Sequence, residues 1–197
     1  MEVVAHRLRP PTVIESNATP GQTVGPFFHC ALPYTGDNLL LPAGHPHAIR
    51  LYGTVYDGEG QGIPDALIEL WQPDTDGAVV QQTGSLRRDG WEFTGWGRSA
   101  TDAAGNYSFT TKVPGVCGDG RAPFFALTVF ARGLLDALFT RAYLPHGDIG
   151  ADPLLSDLDV KRRQTLLCAA QPDGYRFDLH LQGVAETVFL RYNATHS

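Results

Sequence analysis

Residues 51–79 read LYGTVYDGEGQGIPDALIELWQPDTDGAV, and they decide the fold class. With the two residues before them they alternate. Ile49, Leu51, Gly53 and Val55 fall on one side, Arg50, Tyr52, Thr54 and Tyr56 on the other. A period of two marks a half-buried strand. The stretch Asp57 to Pro64 (DGEGQGIP) breaks that pattern, because glycine and proline punctuate regular structure, and it reads as a hairpin-type loop. Ala66 to Trp71 returns as a second strand, and Asp74-Thr75-Asp76-Gly77 supplies the next turn.

The rest of the chain repeats this grammar. Thr101 to Gly105 turns into a strand over Asn106–Thr111. PFFALTVFAR, Pro123 to Arg132, is nearly continuous in apolar residues and predicts a strand buried on both faces. Phe139–Leu144 predicts another. Over residues 175–182, Tyr175, Phe177, Leu179 and Leu181 alternate with Arg176, Asp178, His180 and Gln182, and Thr187–Tyr192 completes a last hairpin. Residues 78–98 read as an irregular excursion carrying Trp91 and Trp96, with an interface role expected for both tryptophans. One short helix is expected from Val160 to Leu167, capped by Asp159, with Val160, Leu166 and Leu167 toward the core. Seven or eight short strands with turns between them predict an all-β fold, a β-sandwich, over residues 47–197. Residues 1–46 hold Pro10, Pro11, Pro20, Pro26, Pro33, Pro42 and Pro46, and they predict a long N-terminal arm. Within its TPGQTVGPFFHCALPY segment the apolar anchors Phe27, Phe28 and Tyr34 suit an arm pinned to this domain or to a partner.

Composition removes several classes. Hydrophobic residues make up 43% and charged residues 18%, enough for a core. The 22 glycines and 14 prolines favour a turn-rich β protein. A net charge of −6, with Lys161-Arg162-Arg163 as the longest basic run, argues against nucleic acid. No apolar run approaches the roughly 18 residues of a membrane helix. The opening MEVVAHRLRPPTVIESNATP lacks the apolar core of a signal peptide, and Cys30, Cys117 and Cys168 read as free thiols, so a cytoplasmic location is expected.

Within residues 51–79, Leu51, Gly53, Val55, Gly60, Ile63, Ile68, Glu69, Leu70 and Gly77 stand at the spacing of the intradiol ring-cleavage dioxygenase signature. The match departs at Val79, where an aromatic is usual. TPGQTVGPFF, GWGRSATDAAGNYSF, KVPG, VFARG, KRRQTL and YRFDLHLQGVAETVF also follow the family in order, so the chain resembles an intradiol dioxygenase over roughly residues 18–192. The resemblance implies the family's sandwich. It also implies a ferric site of two tyrosines and two histidines, since a hard cation favours anionic oxygen with imidazole completing the set. The places that resemble those positions hold no ligand here. TGSLRRDGWEFTGWGR has no tyrosine, Val116-Cys117-Gly118-Asp119 has none, and Phe124 and Ala126 stand where an H-x-H is usual.

The resemblance is therefore to the iron-free alpha chain of two-chain members of the family. It implies no metal and no catalytic residue in this chain, and Fe(III) in a partner beta chain. It further implies a multimer of alpha–beta pairs that cleaves 3,4-dihydroxybenzoate with O2 to 3-carboxy-cis,cis-muconate. By motif, Thr23, Gly25, Pro26 and Phe27 would line the substrate pocket of the partner. Arg132 would offset the substrate carboxylate there. The rival reading is a stand-alone transthyretin-like sandwich that binds a ligand without oxidative chemistry. His45-Pro46-His47 is expected to be a solvated loop and not a metal pair. Tyr107 and Tyr143 are expected to pack in the core, and His180 to serve structure.

Overall fold

The computed structural model describes residues 28–80, 91–118, 121–146 and 149–192. Two sheets face each other. Strand β1 (Ile49–Tyr56) is the centre of one, β2 (Leu67–Trp71) and β3 (Trp96–Ala100) lie in the other, and β4 (Asn106–Thr111) returns to the first. The second sheet is completed by β5 (Phe124–Phe130) and β6 (Leu138–Tyr143), giving the antiparallel order β3-β2-β5-β6. The short strands β7 (Ala169–Gln171) and β8 (Gly174–Arg176) extend the first as β4-β1-β8-β7, with β9 (Leu179–His180) also paired to β1. Between the sheets lie Leu51, Val55, Tyr107 and Phe109 from one side and Ile68, Leu70, Phe125, Leu127 and Val129 from the other.

The stretch that decides the fold is a corner and not a hairpin. β1 and β2 enter different sheets, because their apolar residues face each other across the core. A Tyr56–Gly62 bridge, the Ile63 N–H to Val55 carbonyl bond and the Asp57 N–H to Gln61 carbonyl bond help tie the corner locally. Its turn recurs. In Asp57-x-x-Gly60, Asp74-x-x-Gly77 and Asp102-x-x-Gly105 one carboxylate oxygen accepts from the backbone N–H two and four residues on. Each of those glycines has φ of 80° to 84°, which only glycine adopts cheaply.

Four other expectations are corrected. Residues 96–98 are not irregular: they open β3, and Trp96 is buried rather than presented for an interface. β5 is not buried on both faces; its even-numbered side chains are half-buried on the outer face of the sheet. Thr187–Tyr192 forms no hairpin, and its one ladder contact is the Phe139–Leu190 bridge. The expected helix ends at Gln164 as α3 (Val160–Gln164), and among the described residues two further short helices that were not expected, α1 (Phe28–Ala31) and α2 (Pro153–Ser156), precede it. Asp159 does cap α3 by accepting the Arg162 N–H, but Val160 points to solvent. A five-residue helix has too few turns to offer an apolar stripe, and Leu166 reaches the core from beyond its end. Among the described residues no helix is long and apolar enough to cross a membrane.

The descent from β8 to β9 depends on Gly53. A Cβ there would stand 1.9 Å from the Phe177 carbonyl oxygen. That carbonyl accepts from the buried Tyr107 hydroxyl at 2.6 Å, and the Asp178 carboxylate takes the Thr54 N–H at 2.9 Å where the ladder breaks. Gly53→Ala is therefore expected to lower the urea unfolding free energy by about 3 kcal/mol or more, as overpacking against backbone cannot relax through a rotamer. Tyr107→Phe, which only orphans a buried carbonyl, should cost about 1–3 kcal/mol by the same measurement.

Candidate functional site

The outer face of the second sheet carries the positions at which sequence pattern places the chemistry. Cross-strand register lines up Trp96, Trp71, Ala126 and Arg141 in one row, and Arg98, Glu69, Thr128 and Phe139 in the next. In the second row Arg98 donates Nη2 to Glu69 Oε1 at 2.7 Å and Nη1 to the Leu32 carbonyl at 2.8 Å. Its guanidinium also lies over the Trp96 ring, so that pair of charges is committed to structure.

Phe124 and Ala126 occupy this face of β5. The Phe124 ring packs against Tyr143, with centroids 5.3 Å apart, and lies under the Arg141 guanidinium at 4.3 Å. Ala126 offers only a methyl group. Val116 is exposed and Cys117 partly so. Neither Phe124 nor Ala126 can donate an electron pair to a cation. Among the described residues no group of three or more His, Cys, Asp or Glu side chains gathers. Phe124 and Ala126 therefore do not fit as ligands of a ferric ion.

The two strand tyrosines are packing residues, as expected. Tyr107 is wholly inside the first sheet, and burial pushes its phenol well above the usual range, with Cys168 and Asp178 adding to the effect. Tyr143 is pushed up to about 12, by burial first. A tyrosinate ligand needs a phenol that sheds its proton easily, and both shifts run the other way. The Tyr143 hydroxyl accepts from Arg141 Nη1 at 3.1 Å and donates to Asp152 Oδ1 at 3.3 Å. Asp152 is 1% exposed and also accepts from the Ala122, Leu154 and Leu155 N–H groups. It caps α2 and ties that helix to the entry of β5.

Arg132 lies in the turn that follows β5, two residues past Phe130 and at the opposite end of the strand from Phe124 and Ala126, so the structure does not bring it to them. It is 68% exposed on its side chain and ion-pairs with Asp65, which is 10% exposed. Beyond it an apolar groove of about 630 Å³ runs between Leu134–Leu138 and Phe189–Tyr192. Thr23, Gly25, Pro26 and Phe27 lie outside the described residues. Phe28, one peptide bond on, is buried with its ring 6.1 Å from Phe130, two residues from Arg132. Among the described residues, His45, His47, His146 and His180 stand as loop or packing groups. His45 and His47 share a loop in which the His47 N–H donates to His45 Nδ1, His146 is exposed, and His180 stacks on Tyr56 at 4.9 Å.

Sequence reasoning passed over Arg141 and Asp152. Both had signals: an arginine within the apolar strand FTRAY, and an Asp-Pro step of the kind that starts helices. The buried phenols generate a pH prediction. A phenol whose folded pKa exceeds its unfolded value stabilises the fold fully below the unfolded pKa, and that contribution is lost as pH rises through the folded one. Stability should fall between pH 10.0 and about 12 through Tyr143. In Tyr143→Phe that part of the loss should be absent, as followed by denaturant midpoints across the alkaline range. Equal slopes in the two proteins would show that Tyr143 titrates as an ordinary phenol.

Comparison with known proteins agrees with this architecture. A family model described as Dioxygenase matches residues 23–183. The protocatechuate 3,4-dioxygenase alpha chain of Burkholderia cepacia is 37% identical over 190 residues, which is 87% of this chain and 95% of that one. The protocatechuate 3,4-dioxygenase beta chain of the same organism is 30% identical over 71% of this chain and 67% of its own length. Among solved structures, the dioxygenase domain of a dioxygenase carbohydrate-binding protein fusion from Streptomyces sp. SirexAA-E superposes with a TM-score of 0.57 at 26% identity, over 84% of this chain and 99% of that one. The chain belongs to the intradiol ring-cleavage dioxygenase family.

Proposed function

We propose that this chain is the iron-free alpha subunit of a protocatechuate 3,4-dioxygenase. It would pair with a beta chain that carries Fe(III), in a multimer of such pairs in the cytoplasm. The complex would cleave 3,4-dihydroxybenzoate with O2 to 3-carboxy-cis,cis-muconate. The observation that carries this reading is the outer face of β5, where Phe124 and Ala126 stand without a donor atom in a chain similar along nearly its whole length to an alpha chain. The partner's ferric ion would supply the activation of the bound catechol toward oxygen.

This chain's own contribution is shape and charge. The arm segment Thr23, Gly25, Pro26 and Phe27 would form pocket wall, with Arg132 beside it. Two features support that grouping: the chain enters the sandwich at Phe28 against Phe130, and Arg132 follows two residues later. Asp65 holds one side of the guanidinium, which leaves donors of an exposed, planar fork free for a carboxylate. The fork is thus oriented before substrate arrives, which lowers the entropy lost on binding.

The test is metal analysis and visible absorption of this chain, alone and co-expressed with a candidate beta chain. A colourless chain that joins a coloured, active complex is expected. A coloured, active chain on its own would overturn the reading, and a colourless chain that joins nothing would leave a stand-alone binding module. Within an active complex, Arg132→Ala should weaken the carboxylated substrate more than plain catechol, by on the order of 2–5 kcal/mol for a charge pair buried in the assembly. Equal losses for both substrates in kcat/KM would remove the charge role.

A further inference from the structure

The apolar groove beyond Arg132 is open to solvent. It holds about 630 Å³ between the turn Leu134–Leu138 and the closing stretch Phe189–Tyr192. Leu135 on its wall is 65% exposed and Tyr192 is 57% exposed. The Phe139 ring, 39% exposed, meets the Tyr192 ring edge to face with centroids 5.5 Å apart. The bridge from Phe139 to Leu190 holds these two walls together. Large apolar side chains clustered in water around a concave surface mark a docking site. The exposed Asp136 adds one carboxylate to its rim.

The place where the described chain begins points to the occupant. Phe28 is buried with its ring 6.1 Å from Phe130, and Phe130 stands three residues before Gly133, which opens the groove. Residues 1–27 therefore start from a point beside it. They include the apolar stretch Leu8-Arg9-Pro10-Pro11-Thr12-Val13-Ile14. Adjacent prolines favour the polyproline II helix, which has three residues per turn. That period would put Leu8, Pro11 and Ile14 on one face, Pro10 and Val13 on a second, and Arg9 and Thr12 on the third. Grooves walled by aromatic rings take up segments of this kind. At about 3.1 Å per residue the stretch would span about 19 Å. Arg9 is complementary in charge to Asp136. The linker from Glu15 to Phe27 can extend to about 40 Å, so reach is not limiting. Tethering sets an effective concentration on the order of millimolar, so a modest intrinsic fit is enough to fill the groove.

We propose that residues 8–14 seat as an extended segment in the groove between Leu134–Leu138 and Phe189–Tyr192 of the same chain. The proposal does not rest on the alpha-subunit reading, and both the segment and the wall Phe189–Tyr192 lie outside residues 23–183, the part shared with the family. The experiment places the photo-reactive residue benzoylphenylalanine at Thr12, on the polar face of the segment, in the full chain. The protein is irradiated alone and with a candidate beta chain, and the adducts are mapped by mass spectrometry. Adducts within one chain to residues 134–139 or 189–192, at a yield independent of protein concentration, are expected. Leu135→Asp changes an exposed wall position and should cut that yield about tenfold or more with an unchanged melting temperature, because it puts a charge into an apolar contact. Ile14→Asp should do the same from the side of the segment, and it decides the matter if Leu135→Asp fails to fold. Without the photo-probe, trypsin should cut after Arg7 about tenfold more slowly in the unsubstituted chain than in either variant, since cleavage follows the undocked population. No adduct, adducts elsewhere on the chain, undiminished yield in Ile14→Asp or equal cleavage rates would each overturn the proposal. Adducts between two copies that fade on dilution would give the groove to a second copy, and adducts to the beta chain would give it to the subunit interface; either would overturn the seat within one chain.

Discussion

One buried carboxylate organises the outer half of the second sheet. Asp152 accepts the N–H of Ala122, which leads into β5, and the hydroxyl of Tyr143, which ends β6. It also caps the first turn of α2 through Leu154 and Leu155. A carboxylate taken out of water is tolerable only when its lone pairs are filled, and here four donors fill them. The consequence is geometric. The ends of β5 and β6 are locked in register, so Phe124, Tyr143 and Arg141 stack in one order and cannot slip. This end of the sheet's outer face is thus rigid.

The same strand separates two jobs. At its N-terminal end β5 presents a phenyl ring and a methyl group, chemically inert toward a hard cation. At its C-terminal end it runs into Arg132, held by Asp65 at the rim of an apolar groove. Strand geometry keeps these ends about 20 Å apart. A substitution at one end therefore need not disturb the other. A strand whose interior residues Phe125, Leu127 and Val129 are almost wholly buried is constrained along one face only. Substitutions on the opposite face leave that core intact.

Much of this was legible in the sequence. The period of two over Ile49–Tyr56 and the Asp-x-x-Gly turns announced strands and chain reversals, because local backbone chemistry dictates both. That Phe124 and Ala126 share one face of a strand was also visible, since it follows from their spacing of two. What was not legible depended on which sheet a strand joins. The β1–β2 segment has the signals of a hairpin, and only the facing of Leu51 and Val55 toward Ile68 and Leu70 across the core turns it into a corner. The apolar run in β5 hid its half-exposed face, because Phe124, Ala126 and Phe130 are apolar on the side that is not core. Val160 misled for the complementary reason: an apolar residue on a helix of five residues has no stripe to belong to.

Arg141 shows how a structure can state a requirement that sequence cannot. As a letter within FTRAY it reads as the polar member of an alternating strand. In the fold it is a cation between a phenyl ring and a phenol, and the nearest negative charge is kept from it by a hydroxyl. The Tyr143 hydroxyl cannot serve both neighbours equally. Burial pushes its pKa up, and Arg141 opposes that push while Asp152 adds to it. It stays neutral and passes polarisation from one charge to the other without neutralising either. The arrangement is stable because Asp152 is satisfied by backbone N–H groups, and that leaves the guanidinium's charge unanswered.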